Sequence, residues 1–598
     1  MGLCIATASV PGVLADKVEA IARAGFKSAD LAWADVTACP GGPEEVQLLF
    51  ANNGLTIALV ASARSLEADQ QVTQFQHELG ITASLNTDLL MIDVGKDLPT
   101  QDQLTALAGL AEHAGVRIAL RPTHAQDAQL VEQVTQLANP GLGLAINSAF
   151  ALSDGSNAAR LRDLPEDKVL HVQLTDEGFG KLRWPGQGNL NLASFVRVIS
   201  RNGYKGAWDV VAPGLERHAA RNGYRALVTL LDEVSQTEPN FPLELPTLPE
   251  RVYASGFEFI EFATSPESSE ELTTLLSSMA FRMERSHVSK DVELWRQGAI
   301  NIVVNKDLNG HARDVLERHG PSVCDMGLRV KDAAQTIARA TAFGTPSFHQ
   351  PVGIGELEIP AVQGVGGNVV HFIDENSELH RVWDIEFRPV SKTEATPPSG
   401  LRRIDHVAQT MSHEEMQSWL LTYITLFEME KSAILDVRDP SGVVRSQALE
   451  SPEGEVRLNL NGALNTQTLA GSFVADRMGA GVQHIALLTD DIMETAQRLE
   501  QSGFPSLPIP PSYYAETQAL FGLTDTLTDQ LRRHCLLYDE DEAGAYFQLY
   551  SQPIFNGFFF EIVQRQGGYN GYGARNASVR LAAQAGVLSA KSGLREAS

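Results

Sequence analysis

The first 235 residues alternate between short apolar runs and longer amphipathic runs. The apolar runs, such as "LTIALVAS" and "DLLMIDVG", have the length and composition of buried parallel strands. The runs between them, such as "LADKVEAIARAG", carry apolar residues at helical spacing and end in a glycine that suits a helix C-terminus. About eight such strand–helix pairs predict an α/β TIM barrel over residues 1–235, with a doubly wound open sheet as the alternative.

Two proline-rich segments, residues 236–250 and 391–400, are typical of linkers. The regions that follow each of them have a different pattern from that of the first 235 residues. In those regions "GVQHIALLTDDIMETAQRLEQSGF" repeats the pattern of "SVCDMGLRVKDAAQTIARATAFG", and "RRIDHVAQT" repeats that of "GFEFIEFAT". This internal repeat predicts an α+β region of four βαβββ modules, two in residues 251–390 and two in residues 401–575. A tail over residues 576–598 follows, and we expect its end, "VLSAKSGLREAS", to be disordered.

Three of the predicted strands in residues 401–575 each carry one polar residue among apolar neighbours. These are His406, His484 and Glu561, which are 78 and 77 residues apart. The two histidines lie at equivalent places in successive modules, so modules that curl into a cup would direct all three side chains to one centre. Two imidazoles and one carboxylate are the ligand set of non-haem Fe(II) oxygenases, which leaves open positions for substrate and O₂.

The amino-acid composition limits which partners and which cellular compartment we expect for the protein. A net charge of −27 disfavours binding to nucleic acid or to an anionic membrane surface. The four cysteines are far apart, which favours reduced thiols in a cytoplasmic protein. We find no apolar run long enough for a membrane span and no signal peptide pattern. A small-molecule ligand is therefore the expected partner, and self-association into a homo-oligomer is left open.

Residues 401–575 resemble the catalytic half of 4-hydroxyphenylpyruvate dioxygenases, members of the vicinal oxygen chelate superfamily. "DHVAQ", "GVQHIAL" and "FFFEIVQR" match the three ligand motifs of that family. The resemblance implies one divalent metal at His406, His484 and Glu561, with Fe²⁺ favoured and Mg²⁺, Mn²⁺, Co²⁺ or Zn²⁺ as alternatives. It also implies that four polar side chains hold the substrate: Ser446, Asn461, Gln483 and Gln548.

Two departures from this family change the expected specificity. The family closes its pocket with "GFGxGNF", whereas this chain reads "GYGARNA", so that Tyr572 replaces one phenylalanine and Ala577 the other. The loss of a stacking ring weakens the case for a hydroxyphenyl substrate. The first module pair lacks the triad, and its equivalent positions are Glu261, Asp325 and His371, for which we expect structural roles.

The whole chain resembles bacterial 3-dehydroshikimate dehydratases that carry a dioxygenase-like C-terminal domain. The resemblance rests on "LPEDKVLHVQLTD", "WPGQG", "GYKGAWD" and "QPVGIGELEIPAVQGVGG". It implies conversion of 3-dehydroshikimate to protocatechuate in quinate and shikimate catabolism. It further implies a barrel metal bound by Glu, Asp, Gln and Glu at strand ends, where the ion would stabilise an enolate.

This sequence keeps one of those four barrel ligands. The family positions fall on Arg121, Asn147, Gln173 and Val211, and the family's histidine after the Asp becomes Phe150. An arginine repels a divalent ion, and hard ions need oxygen ligands. Asp209 and His124 are near enough in sequence to substitute. We therefore predict that the barrel metal site is lost and that the barrel is inactive.

Three functions stay open from the sequence. The retained triad favours a non-haem iron oxygenase that acts on a keto acid. The resemblance over the whole chain favours the lyase, 3-dehydroshikimate dehydratase. The altered pockets favour a binding or regulatory protein with a structural metal. The catalytic residues are not identified by sequence.

Overall fold

The computed structural model describes residues 2–598 except 69–70, 124–126, 138, 153–157, 163, 179, 214–217, 239–240, 242–244, 308, 391–396, 556 and 597–598. The described chain forms two compact units, Met1–Thr247 and Leu248–Ser598. His124, which the sequence offers as a substitute barrel ligand, lies outside the described residues.

The first unit is a closed barrel of eight parallel strands, in the order β1-β10-β7-β6-β5-β4-β3-β2. Its strands, together with the β8–β9 hairpin, are β1 (Leu3–Ala6), β2 (Ser28–Ala32), β3 (Thr56–Leu66), β4 (Leu89–Val94), β5 (Arg117–Pro122), β6 (Leu142–Asn147), β7 (Val169–Leu174), β8 (Asp176–Gly178), β9 (Lys181–Arg183) and β10 (Trp208–Val210). Closure confirms the predicted TIM barrel and rules out the open sheet.

Helices surround this barrel, and their ends carry the signals seen in the sequence. They are α1 (Leu14–Ala24), α2 (Trp33–Ala38), α3 (Gly42–Asn52), α4 (Gln76–Ser84), α5 (Gln101–Ala114), α6 (Asp127–Gln136), α7 (Ser148–Ala151), α8 (Leu192–Arg201) and α9 (Ala219–Thr237). Helix α5 begins with a capping box between Thr100 and Gln103 and ends at Gly115, whose φ of 65° is left-handed.

The second unit contains two sheets of nine strands. The first sheet comprises β11 (Ala254–Ala263), β12 (Arg282–His287), β13 (Val292–Gln297), β14 (Ile300–Asn305), β15 (Ser322–Val330), β16 (Ser347–Phe348), β17 (Ala361–Gln363), β18 (Val369–Ile373) and β19 (Phe387–Pro389). The second comprises β20 (Leu401–Ser412), β21 (Glu430–Lys431), β22 (Leu435–Asp439), β23 (Gly442–Glu450), β24 (Arg457–Ala463), β25 (Gly481–Thr489), β26 (Leu537–Glu540), β27 (Gly544–Tyr550) and β28 (Phe559–Gly567).

The two sheets share one pairing scheme, which confirms the predicted repeat. Strand β11 pairs antiparallel with β15, and β15 pairs parallel with β18. In the same way β20 pairs antiparallel with β25, and β25 pairs parallel with β28. The helices of this unit are α10 (Pro266–Ser278), α11 (His311–His319), α12 (Ala333–Ala342), α13 (Val382–Ile385), α14 (His413–Leu426), α15 (Leu469–Asp476), α16 (Ile492–Gln501), α17 (Pro511–Phe521), α18 (Asp525–Arg533) and α19 (Ala577–Glu596).

The tail is helical where we expected disorder. Helix α19 covers Ala577–Glu596 and therefore includes most of "VLSAKSGLREAS". Val579, Ala583 and Val587 recur at a spacing of four residues and pack against the hydrophobic core of the second unit. This helical period gives the segment an apolar face to bury, so the expectation of disorder was wrong. None of the described helices is long and apolar enough to cross a bilayer.

The two module pairs share a single hydrophobic core, and a buried arginine fastens them together. Phe262 of β11 packs edge-on against Phe558, with ring centres 5.1 Å apart. Arg339 of α12 is buried, and its guanidinium donates hydrogen bonds to the backbone carbonyls of Thr425, 2.7 Å away, and Pro249. Helix α12 is thereby tied to the end of α14 in the other pair.

We expect Arg339→Met to destabilise the second unit by about 2–4 kcal/mol, because two buried carbonyls lose their donor while the aliphatic volume is kept. Thermal or urea unfolding of the full-length protein measures the effect. The matched control is Arg313→Met on the surface of α11, where the free energy of unfolding should change by about 0.5 kcal/mol or less. Equal stability of the two variants would contradict the role given to Arg339.

Candidate metal centre

Three neighbouring strands carry His406, His484 and Glu561 to one face of the second sheet. His406 lies opposite Ala486 on one side, and Glu561 lies opposite the same alanine on the other side. His484 is two residues from Ala486, so its side chain shares that face. Strand register alone therefore brings the three predicted ligands together.

The nearest side-chain atoms of the three residues form a small triangle. His406 Nε2 and His484 Nε2 are 3.2 Å apart, and each is 3.4 Å from Glu561 Oε2. Ligand atoms about 2.1 Å from a first-row ion are about 3.0 Å apart at right angles and about 3.4 Å apart in a tetrahedron. All three residues are buried. The three atoms thus suit the coordination of one divalent ion from one side, and they would leave the coordination positions on the other side of that ion open.

A buried ion pair fixes the orientation of His406. His406 Nδ1 donates to Asp405 Oδ1 at 2.8 Å, which leaves Nε2 free to bind a metal. Arg565 in turn donates to both oxygens of Asp405, each at 2.9 Å. Sequence reasoning passed over these two residues, although Asp405 directly precedes the histidine and Arg565 lies four residues after Glu561 on the same strand.

Glu561 is held by one oxygen and presents the other. Its Oε1 accepts hydrogen bonds from Gln548 Nε2 at 2.9 Å and from the Tyr550 hydroxyl at 3.1 Å. Oε2 is the atom that faces the two histidines. Gln548 also accepts from Asn576 Nδ2 and does not line the neighbouring cavity. Its contacts favour a role in positioning Glu561, and substrate binding by Gln548 stays a prediction.

The charges of this cluster are uneven. Burial opposes protonation of His406, but its hydrogen bonds to Asp405 and Glu561 raise its pKa. Burial, together with repulsion from His406 and Arg580, lowers the pKa of His484 to about 3. Against the effect of its own burial, the contact with His406 lowers the pKa of Glu561 to about 2. His406 is therefore the more basic of the two imidazoles, and a cation at this site would compete with a proton.

A cavity of about 100 Å³ opens onto the triangle. Ser446, Asn461 and Gln483, for which substrate binding stays a prediction, line it, and Ser446 lies directly opposite Asn461 on β23 and β24. Gln483 Oε1 accepts from the Thr410 hydroxyl at 2.7 Å, which leaves its amide NH₂ group to donate to a ligand. The polar wall beside the triangle thus offers amide and hydroxyl groups.

The other wall of the cavity comes from the start of α19. Tyr572 stands edge-on to the His406 ring, with centres 5.3 Å apart, while Ala577 adds only a methyl group. Arg580 and Leu581 complete this wall. Arg580 was missed from the sequence, although it is three residues after Ala577 and so shares its helical face. The wall is therefore partly apolar and carries one guanidinium.

The predicted polar set of the first module pair also converges, on a separate cavity of about 580 Å³. Glu261 lies directly opposite Asp325 on β11 and β15. His311 and His371 flank Asp325 on its two oxygens, at 3.2 and 3.5 Å. Burial and the charge of Asp325 raise the pKa of Glu261 to about 7. Glu261, Cys324 and Asp325 offer atoms within 4.8 Å of one another, and among the residues that the structure describes a His–His–Glu group occurs in the second pair alone.

An ion pair fills the predicted metal position of the barrel. Arg121 donates to both oxygens of Asp93, at 2.6 and 2.9 Å, and to Gln173 Oε1 at 2.6 Å. Asn147 caps α7 and donates to the Thr175 hydroxyl at 3.1 Å. Val211 donates its backbone N–H to the carbonyl of Leu174 and brings no oxygen ligand. Asp93, which neutralises the arginine, was not foreseen because it lies on the preceding strand.

Buried carboxylates do remain in the barrel, beside a histidine. Asp209, foreseen as a substitute, accepts from Gln173 Nε2 at 2.9 Å. His171 Nε2 lies 2.8 Å from Asp30 and 3.8 Å from Asp209. Burial works against it, but Asp30 raises the pKa of His171 to about 10. His171 could have been identified because it precedes Gln173 by two residues and so shares its face of β7.

Comparisons with known families agree with this architecture. Residues 18–232 match the model of the xylose isomerase-like TIM barrel, and residues 250–388 match that of the N-terminal region of hydroxyphenylpyruvate dioxygenase. A solved xylose isomerase-like TIM barrel/4-hydroxyphenylpyruvate dioxygenase fusion protein superposes with a TM-score of 0.88 at 33% identity, over 98% of this chain and 99% of the other.

Curated relatives span the whole chain. The 3-dehydroshikimate dehydratase of Pseudomonas putida is 35% identical over 97% of this chain and 98% of its own length, and that of Pseudomonas aeruginosa is 33% identical over the same shares. The 4-hydroxyphenylpyruvate dioxygenase of Pseudomonas aeruginosa is 32% identical over 54% of this chain and 90% of its own length. The chain therefore belongs to the family of 3-dehydroshikimate dehydratases in which a xylose isomerase-like TIM barrel is fused to a 4-hydroxyphenylpyruvate dioxygenase-like domain.

Proposed function

We propose that the second unit is a non-haem dioxygenase that acts on an α-keto acid, with a divalent ion, Fe²⁺ in particular, bound by His406, His484 and Glu561. The observation that carries this proposal is the triangle of ligand atoms, whose edges of 3.2 to 3.4 Å suit one ion. A bound Fe²⁺ would supply coordination of the keto acid and activation of O₂.

The residues around the triangle have separable tasks in this proposal. Asp405 and Arg565 keep His406 in the tautomer that presents Nε2, and Gln548 and Tyr550 keep Glu561 Oε2 turned inward. Asn461 and Gln483 offer donors to the carboxylate and keto oxygens of the substrate. Tyr572 and Ala577 line the remaining side of the cavity.

A second candidate is the activity named for the full-length relatives, dehydration of 3-dehydroshikimate in the barrel. The 35% identity to the Pseudomonas putida dehydratase, which extends over 97% of this chain, favours that activity. The local chemistry disfavours it, because the predicted ligand positions hold an arginine, an amide and a valine. Arg121 and Asp93 neutralise each other, and Asp30 is paired with His171. We therefore propose that the barrel is inactive as a metal-dependent dehydratase.

The purified full-length protein should bind one equivalent of Fe²⁺, Mn²⁺ or Co²⁺, and His484→Ala should abolish that binding. Asp405→Asn should weaken metal affinity by about 10- to 100-fold, because it loosens the ring of His406. Elemental analysis and anaerobic metal titration measure both effects. Exposed His380 provides the matched control, since His380→Ala should bind like the wild type. Unchanged metal content in His484→Ala would refute the assignment.

With Fe²⁺ bound, the protein should consume O₂ in the presence of small or aliphatic α-keto acids and act poorly on 4-hydroxyphenylpyruvate. The physical reason is that chelation anchors any α-keto acid, whereas discrimination for the phenol needs the ring surface that Ala577 lacks. An oxygen electrode measures uptake, with His484→Ala as the blank. Homogentisate formation at about 1 s⁻¹ or faster would contradict this specificity. Absence of uptake with every keto acid would favour a regulatory protein with a structural metal.

Incubation with 3-dehydroshikimate and Mg²⁺, Mn²⁺ or Co²⁺ should yield no protocatechuate, because Arg121, Asn147 and Val211 stand at three of the four predicted ligand positions. Ultraviolet absorbance of protocatechuate follows the reaction. Turnover that disappears in Asp209→Asn but survives in the surface variant Asp232→Asn would show a site rebuilt around Asp209 and Gln173. That result would replace the proposal of an inactive barrel with the dehydratase function.

A further inference from the structure

Among the described residues that line the cavity beside the metal triangle, Arg580 is the one arginine or lysine. It lies on the first turns of α19, and its guanidinium carbon stands 5.3 Å from the ring centre of Phe559 and 5.7 Å from that of Tyr550. A guanidinium that packs its flat face on aromatic rings keeps its N–H groups at the edge, where they can reach a ligand.

The two rings under Arg580 also contact the predicted metal ligands. Phe559 stacks on His484 with ring centres 4.8 Å apart. The hydroxyl of Tyr550 donates to Glu561 at 3.1 Å. The guanidinium thus packs on the rings that contact two of the predicted ligands, and Arg580, His484 and Glu561 line the same cavity.

Arg580 has no acidic partner within the described part of the chain. Its Nη1 donates to the amide oxygen of Gln584 at 2.7 Å, which is a neutral acceptor. The neighbouring arginines differ, because Arg565 pairs with both oxygens of Asp405 and Arg457 pairs with Glu450 at 2.8 Å. A guanidinium that lines a cavity and forms no ion pair with a described carboxylate is suited to bind an anion from outside.

We propose that Arg580 binds a second carboxylate at the far end of the substrate, so that the substrate class is an α-keto dicarboxylate. This inference rests on the proposed function, in which the keto acid end of the substrate lies at the metal. Ala577, three residues before Arg580 on the helix, leaves the space through which the distal carboxylate reaches the guanidinium. Arg580 also disfavours a substrate that ends in a neutral phenol ring, because such a ring would leave the guanidinium without a counter-ion.

Binding to the full-length protein tests this without turnover. The protein is loaded with redox-inert Mn²⁺ and titrated calorimetrically with α-ketoadipate, with the monocarboxylate of equal length, α-ketocaproate, and with 4-hydroxyphenylpyruvate. Wild type should bind α-ketoadipate about 10- to 100-fold more tightly than α-ketocaproate, as expected for a charge-assisted hydrogen bond. Arg580→Leu should lose that preference and keep its affinity for α-ketocaproate and its Mn²⁺ content.

Two further variants make the result specific. Arg580→Lys, which keeps the charge but not the planar fork, should retain part of the preference. Arg575→Leu removes an exposed arginine from the preceding turn, outside the cavity, and should bind all ligands like the wild type. Equal binding of the two acids by wild type, or an unchanged preference in Arg580→Leu, would overturn the inference while leaving the proposed function in place. Failure of the Mn²⁺-loaded wild type to bind any keto acid would overturn both.

Discussion

Asp405 is the group on which the chemistry of the second unit depends. It is fully buried between an imidazole and a guanidinium, and neither partner could be removed without leaving an uncompensated buried charge. Its hydrogen bond with Nδ1 of His406 orients the imidazole so that Nε2 faces the cavity. Through Arg565, which also donates to the carbonyl of Gly571 at 2.6 Å, it holds the loop that presents Tyr572. One ion pair thus sets both the ligand geometry and the rim of the pocket.

The two units of the chain differ in how their buried charged side chains are arranged. In the second unit Glu561 Oε2 and the Nε2 atoms of His406 and His484 point at one centre, which a cation can occupy. In the barrel two pairs occupy the corresponding place among the described residues: Asp93 binds Arg121, and Asp30 binds His171. These pairings leave fewer free oxygens for a metal ion, and Asp209 beside them keeps one buried oxygen without a hydrogen-bond partner among the described residues. This difference is why we place the chemistry in the dioxygenase-like unit, although the relatives that span the chain are named for dehydration.

Strand and helix periodicity was sufficient to predict the barrel and the repeated modules, and to place the three candidate ligands on one face of a sheet, because each depends on which face of a strand a residue occupies. His406, His484 and Glu561 were identifiable because each is a polar residue among the apolar neighbours of its own strand, a signal that can be read from a few consecutive residues. Partners that come from other strands were not identifiable in this way. Asp93 meets Arg121, and Gln548 turns to Glu561 and away from the cavity, only once the sheets have closed. The helical tail was misjudged because its alanines and glycines dilute the apolar spacing of Val579, Ala583 and Val587.

Anomalous diffraction from crystals of the full-length protein grown with Fe²⁺, or with Co²⁺ as a stable substitute, tests the central claim most directly. Data recorded on both sides of the metal absorption edge locate each bound ion independently of any catalytic assay. We predict one peak within bonding distance of His406 Nε2, His484 Nε2 and Glu561 Oε2, and no peak at the carboxyl ends of the barrel strands. A peak beside Gln173 and Asp209, with none at the triangle, would contradict the account.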